Sequence, residues 1–446
     1  MKKIIRNFIL FFITIIVIGI YLLDFSFKSN KFLFTKIKKI FSQEQIVNFQ
    51  KFSSDFINYN FTIDAKKVFE LENRNVKFEK FSSSFIKLRG YLEQDNHNIY
   101  IMNKRGELFY FSKNEILENK KLKLKKIKSN TETLIGKKYL DDFSTVIKEI
   151  LIINDKIFVS YINNLNGCFS NGFLQGNLNV DKIVFSPFLI INECKKRFNL
   201  SVGGNLKKFK DNKIVVTTGD YESYELVGDD DPQNLNSLYG KILIIDLDTK
   251  KIDILSIGHR NPQGLFYDIQ NDILFSTEHG PQGGDEINVN ISPNLNKIKN
   301  YGWAVSSYGE HYGYDIGWSE KIKKETDLID DLYKVAPLNK SHKNFGFEEP
   351  IKYFTPSIGI TEILKVKSNK INNHKLLVSS LGWVKQYEKG EVMTLHILDF
   401  DNNFFQTNHE KIYVGDRIRD IIDLKNGSII MTLDTSGSIA LLTNVY

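Results

Sequence analysis

Six short segments of this chain repeat one pattern: a turn of Asn, Asp, Gly or His, often with Lys, then four or five strand-forming residues, then a polar loop. They read DNHNIYIMNKRG (95–106), NDKIFVSYIN (154–163), DNKIVVTTGD (211–220), NDILFSTEHG (271–280), NHKLLVSSLG (373–382) and NGSIIMTLDT (426–435). Their first strand residues, Ile99, Ile157, Ile214, Ile273, Leu376 and Ile429, stand 58, 57, 59, 103 and 53 residues apart. A period of this size, with several strands between copies, suits a β-propeller built of small antiparallel sheets. Six copies predict an all-β fold with six blades, and the long interval predicts an insertion near 295–350. A sandwich with similar hairpins is the rival that periodicity alone leaves open.

Composition agrees with strands. Tyr (20) and Phe (34) are abundant and Ala is rare, which turns local propensity away from helix. The 60 Lys+Arg against 53 Asp+Glu are scattered, with 52 Lys and 8 Arg, so there is no basic patch for a nucleic-acid partner. Cys168 and Cys194 are too few for a thiolate zinc site. One disulfide and two separate thiols both remain open, because sequence does not give their distance.

The N-terminus predicts a compartment. Lys2, Lys3 and Arg6 precede the uncharged run Phe8 to Leu23, and no small-x-small cleavage site follows. Residues 1–24 are read as a signal anchor or transmembrane helix, 25–79 as a membrane-proximal linker and 80–446 as the propeller. The bulk of the chain is then periplasmic, held at the cell inner membrane through the N-terminal segment.

A propeller gathers the equivalent loops of its blades on one face. Arg105, Asp220, Glu278 to Gly280, Gly382 and Asp434 follow the repeated strands and predict a polar pocket there. In a chain that otherwise uses Lys, Arg105, Arg260, Arg417 and Arg419 stand in turn-rich segments, where a planar fork suits carboxylates of a ligand or of the protein. Arg417 and Arg419 alternate along one strand and point the same way. GHRNPQGL (258–265), TEHGPQGGDEIN (277–288) and NYGW (300–303) have the composition of functional loops, and the carbonyls of Gly280 and Pro281 suit a hard cation.

RNPQGL, EHGPQGGDEIN and NYGW closely resemble the soluble sugar dehydrogenases that use pyrroloquinoline quinone (PQQ), the glucose/sorbosone dehydrogenase family of six-bladed propellers. Weaker matches run from NKRGEL (103–108) through GDYES, DPQNLNSLYGKIL and TPSIGITEI to DRIRDI, so the likeness covers roughly 80–446. The resemblance implies a sugar or related alcohol as substrate, with PQQ and calcium as cofactors. It implies Arg260, Asn261, Arg417 and Arg419 as contacts of the quinone, Asp285 near it, and Gly280 and Pro281 as calcium ligands.

This chain also departs from that family. The segment that carries the family's base histidine reads SVGGNL here, which puts Ser201 at the histidine and Asn205 at an arginine, and a family lysine is Gly382. A serine hydroxyl is no general base near neutral pH unless another group activates it. Two expectations follow: a PQQ-dependent aldose dehydrogenase with impaired chemistry at Ser201, or a non-catalytic propeller that binds a ligand or protein partner. His259, His279 and His311 are the candidate substitutes for the missing base. Oligomeric state is not legible.

Overall fold

The structure is a computed structural model. It describes residues 59–446, except 85, 119–120, 144, 197, 199, 223–229, 282, 310–340, 369–372 and 383–390. The expected anchor over 1–24 and most of the expected insertion lie outside the described residues. Among the described residues no helix is long and apolar enough to cross a membrane.

The fold is all-β. The first sheet runs Gly90–Gln94, Asn98–Asn103, Leu108–Ser112, Lys121–Ser129, and the second Ile147–Ile153, Lys156–Leu165, Cys168–Asn177, Ser186–Ile190. The third is Gly203–Lys208, Lys213–Thr218, Lys241–Asp246, Ile252–Ile257, and the fourth Pro262–Asp268, Ile273–Glu278, Asp285–Ile291, Lys352–Phe354. The fifth is Ile360–Val366, His374–Ser380, Thr394–Phe400, Gln406–Tyr413. In the last, Ile418–Asp423, Ile429–Leu433 and Ser438–Thr443 take Arg74–Ser82 as fourth strand, and Tyr59–Leu71 bridges that strand to Lys121–Ser129, so the last and first sets form one continuous sheet. The six repeated sequence segments are the second strand of each set. Alternation explains why: Leu376 and Val378, like Ile429 and Met431, point into apolar layers between neighbouring sheets.

The first strands pack side by side in a ring, from Gly90–Gln94 through Ile147–Ile153, Gly203–Lys208, Pro262–Asp268 and Ile360–Val366 to Ile418–Asp423, which returns to Gly90–Gln94. Their inward side chains fill the axis. Asn205 Nδ2 donates to Glu149 Oε2 (2.9 Å) and Glu362 Oε2 (2.7 Å), and Lys207 Nζ lies 3.7 and 3.5 Å from the same carboxylates. Burial foremost, then Glu362 beside it, pushes Asp420 up to about 7.

The propeller begins earlier than its expected start at residue 80. Tyr59–Leu71 and Arg74–Ser82, read from sequence as linker, form a hairpin whose second strand pairs Lys77–Phe81 with Ile439–Thr443. Val76 and Phe78 alternate into the same apolar layer as Leu377, Met431 and Leu442, and a bare edge on the final strand is covered. Arg74 locks the join, with Nε on the Val445 carbonyl (2.8 Å) and Nη2 on Glu410 (2.7 Å). The two cysteines resolve as one disulfide, Cys168–Cys194.

If the hairpin closes the ring, Phe78→Ala should lower unfolding free energy by about 3–5 kcal/mol, while Val68→Ala, at an exposed position of the same hairpin, should change it little. Urea midpoints test this, and equal shifts for the two variants would contradict the assignment.

Candidate functional site

The third and fourth sheets bring the sequence motifs together. His259 is fully buried, with Nδ1 on Glu278 Oε2 (2.9 Å) and Nε2 on Ser256 Oγ (2.8 Å). Both ring nitrogens are occupied, so it is no substitute base. The Arg260 amide donates to Glu278 Oε1, its Nη1 donates to the Gly280 carbonyl (2.9 Å), and its guanidinium lies over the Trp303 ring at 5.6 Å. Trp303 Nε1 donates to Asp220 Oδ2 (2.7 Å), and the Asp220 amide donates to the Arg260 carbonyl (2.8 Å). Asn261 Oδ1 accepts from the Gly203 amide (3.1 Å) and Gln263 Nε2 (2.7 Å). Asn261 therefore fixes the segment that carries Ser201.

Ser201 is buried, and its Oγ donates to Glu222 Oε1 (3.1 Å). Glu222 is aimed by backbone. Tyr221 and Glu222 both take left-handed φ, 57° and 53°, the Tyr221 amide donates to the Ser201 carbonyl (2.8 Å), and Asp220 Oδ1 accepts the Glu222 amide (2.8 Å). Left-handed non-glycine residues cost about 1–3 kcal/mol each and persist only where surrounding contacts over-determine them. Here that reversal returns a carboxylate to the serine hydroxyl.

Asp285 faces the protein. Its Oδ1 accepts the Gly280 amide (3.2 Å) and its Oδ2 the Ile358 and Ile360 amides (3.1 and 2.9 Å). Burial opposes its charge, but His279 and these amides outweigh burial and hold its pKa down. It braces the Gly280–Pro281 turn. The Pro281 carbonyl stands at the edge of hydrogen-bond range from Ser357 Oγ (3.5 Å).

A second cluster gathers at the seam between the last and first sheets. Asp434 Oδ2 receives Arg419 Nε and Nη2 (3.1 and 2.7 Å) and Lys104 Nζ (2.9 Å), while its buried Oδ1 has no hydrogen-bond partner. Arg417 Nη1 reaches the Gly382 carbonyl (3.4 Å). Asp416 accepts the backbone amides of Arg417, Thr435 and Ser436. Lys148 comes in from the second sheet, under the field of Arg419 and Lys104. Among the described residues, Arg417, Arg419, Lys104 and Lys148 gather here with Asp434, Asp416 and Asp420 as the carboxylates that act on them, and a concentration of cations of this kind suits an anion. The Lys148 stem lies against Gly204, where a Cβ would stand 2.6 Å from Lys148 Cβ, so Gly203–Gly204 joins this cluster to Asn261 and Arg260.

Of the predicted residues, Ser201, Arg260, Asn261, Gly280 and Pro281 form one connected group, and Arg417 and Arg419 belong to the other. Arg105 stays on the surface, 3.9 Å from Asp141. His279 lies 3.7 Å from Asp285, and His311 falls outside the described residues. Sequence reasoning missed Glu222 inside GDYES, Trp303 inside NYGW, and Lys148. The one signal for Lys148 is a charged pair, Lys148–Glu149, interrupting the apolar run VIKEILII.

Such an all-β ring of packed inner strands is a β-propeller, and the polar side chains described above lie in and beside the turns that follow those strands. The profile of the glucose/sorbosone dehydrogenase family matches residues 94–442, and the chain belongs to that family. It is 26% identical to the aldose sugar dehydrogenase of Escherichia coli over 203 residues, 42% of this chain and 43% of that protein. It is 37% identical to quinoprotein glucose dehydrogenase B of Acinetobacter calcoaceticus over 107 residues, 22% of this chain and 21% of that one. In the matched proteins of Synechocystis, E. coli and Borreliella burgdorferi the shared stretch is about half of the protein's length. The crystal structure of the soluble E. coli aldose sugar dehydrogenase superposes with a TM-score of 0.55 at 20% identity, covering 82% of this chain and 98% of that one.

Burial works against the Asp434 charge, but Arg419 and then Lys104 bring its pKa down to about 2 from 3.8. A folded value below the unfolded one gives stability that is present above pH 4 and lost as pH falls toward 2. The urea midpoint should drop over that window by the equivalent of about 2 kcal/mol, and Asp434→Asn should flatten the drop. The same acid slope in the variant would place the charge linkage elsewhere.

Proposed function

We propose that this chain is a six-bladed propeller dehydrogenase that oxidises an aldose or related alcohol with PQQ and calcium. The observation that carries the reading is the hydrogen bond from Ser201 Oγ to Glu222 Oε1 beside the Arg260–Asn261 and Gly280–Pro281 group.

The residues present fit the cofactors. The concentration of cations around Asp434 suits a quinone that bears several carboxylates, with Arg417 and Arg419 as its holders and Arg260 on its other side. The Gly280 and Pro281 carbonyls are hard oxygen donors of the kind calcium takes, and the Gly280 oxygen keeps a lone pair beyond the one Arg260 uses. When bound, PQQ supplies the two-electron acceptor. The chain's own part is the proton. The hydroxyl proton of the sugar passes to Ser201 Oγ as the serine's proton moves to Glu222 Oε1, so the carboxylate serves as base and the serine as relay. Asp220 keeps Glu222 in place, and Trp303 keeps both Asp220 and the Arg260 guanidinium in place. The binding-only alternative rests on Ser201, Asn205 and Gly382 standing where the family has charged or basic residues, and Glu222 on Ser201 supplies a base for the first of these. The Cys168–Cys194 disulfide supports an oxidising compartment, in line with a periplasmic propeller anchored at the inner membrane by residues 1–24.

With PQQ and calcium supplied, Glu222→Gln should lower kcat for dye-linked sugar oxidation about 10²–10⁴-fold while leaving PQQ affinity near that of the unaltered protein. Arg260→Ala should instead abolish PQQ binding. Dye reduction unaffected by Glu222→Gln would remove Glu222 from the chemistry, and no oxidation of any aldose by PQQ-loaded protein would sink the dehydrogenase reading.

A further inference from the structure

Lys104 and Lys148 both stand beside Arg419, yet their surroundings differ. Lys104 Nζ has the Asp434 carboxylate at 2.9 Å. Lys148, 8% exposed, makes no hydrogen bond or ion pair with any described residue. The charged groups that face it are Arg419 from the last sheet and Lys104 from the turn of the first. Gly204 and the Ser160 hydroxyl, itself without a partner, border its stem. Glu149, its neighbour in sequence, is engaged with Asn205 and Lys207 on the axis, and Asp434 Oδ2 is shared by Lys104 and Arg419.

Burying an ammonium group without a partner is expensive unless something that binds there repays the loss of water. Gly204, at φ 98°, leaves the space through which the Lys148 stem passes. We propose that Lys148 is an anion-binding residue whose ammonium completes the carboxylate pocket of Lys104, Arg417 and Arg419. The proposal rests on the quinone reading above and adds a residue that the family motifs do not contain.

The pocket also couples binding to protonation. Burial first, then Arg419 and Lys104, brings Lys148 down to about 7, and a carboxylate placed against it favours the charged form. Binding therefore takes up a proton above pH 7, and affinity falls as pH rises beyond that value.

The test is calorimetric titration of the full-length chain with PQQ and calcium at pH 6 and pH 8, in buffers of different ionisation enthalpy, so that proton uptake is read beside affinity. Unaltered protein should take up close to one proton per PQQ at pH 8 and little at pH 6. Lys148→Met should bind PQQ about ten- to a hundredfold more weakly and lose that uptake. Lys148→Arg should bind within a few-fold of the unaltered protein, again without uptake, because a guanidinium is always charged. Ligand-free Lys148→Met should melt no lower than the unaltered protein, since a buried unpaired charge has been replaced by an apolar chain. Equal PQQ affinity and uptake in Lys148→Met would overturn the proposal and leave the quinone reading standing. A ligand-free variant that melts well below the unaltered protein would overturn it too, by assigning Lys148 to the scaffold. Absence of PQQ binding by the unaltered protein at both pH values would remove the quinone reading and this inference together.

Discussion

Everything at the mouth of this propeller depends on one long-range pairing, that of Arg74–Ser82 with Ser438–Thr443. The apolar layers between neighbouring sheets are formed by residues close in sequence, whereas this join connects the two ends of the described chain. Loop-closure entropy opposes such a contact, so it needs a large reward. The reward is the layer built by Val76 and Phe78 with Met431 and Leu442, capped by Arg74 on Glu410 and Val445. The seam it seals is also the seam of the site. Lys104 belongs to the first sheet and Asp434 to the last, and the bonds from Thr432 Oγ1 to the Gly90 carbonyl and from the Leu92 amide to Asp420 cross the same line.

Two electrostatic regimes coexist within the buried interior. On the scaffold side the polar groups are hydrogen-bonded: His259 to Glu278 and Asp285 to three backbone amides, while Glu149 and Glu362 share Asn205 and Lys207. Around Asp434, among the described residues, Arg419 and Lys104 share one carboxylate oxygen and Lys148 makes no hydrogen bond or ion pair. An ammonium left without a partner inside a fold adds no stability, which is the physical ground for reading Lys148 as part of a binding site.

The sequence shows the fold more readily than the site. The repeat is legible because each second strand is buried on both faces and must read as a short apolar run between turns. The hairpin at 59–82 is not, because its strands carry Lys at alternate exposed positions and look like polar linker. Arg260, Asn261 and Gly280 are legible as glycine- and proline-marked loop motifs. Glu222 and Lys148 are not, since their meaning depends on partners that sequence does not reveal. Glu222 matters through a two-residue left-handed reversal, and Lys148 through the absence of any partner across three sheets. Asp285 is legible only in part: the motif marks the position, but its bonds to the Gly280, Ile358 and Ile360 amides depend on the fold.

The filled axis has its own consequence. Glu149, Asn205, Lys207, Glu362 and Asp420 come from four of the six inner strands and meet in hydrogen-bond range or close to it. The ring is therefore stoppered rather than hollow, a cup instead of a pipe. Under the proposed function, a molecule bound at the loop face would enter and leave by the same door, so substrate and product would take turns there.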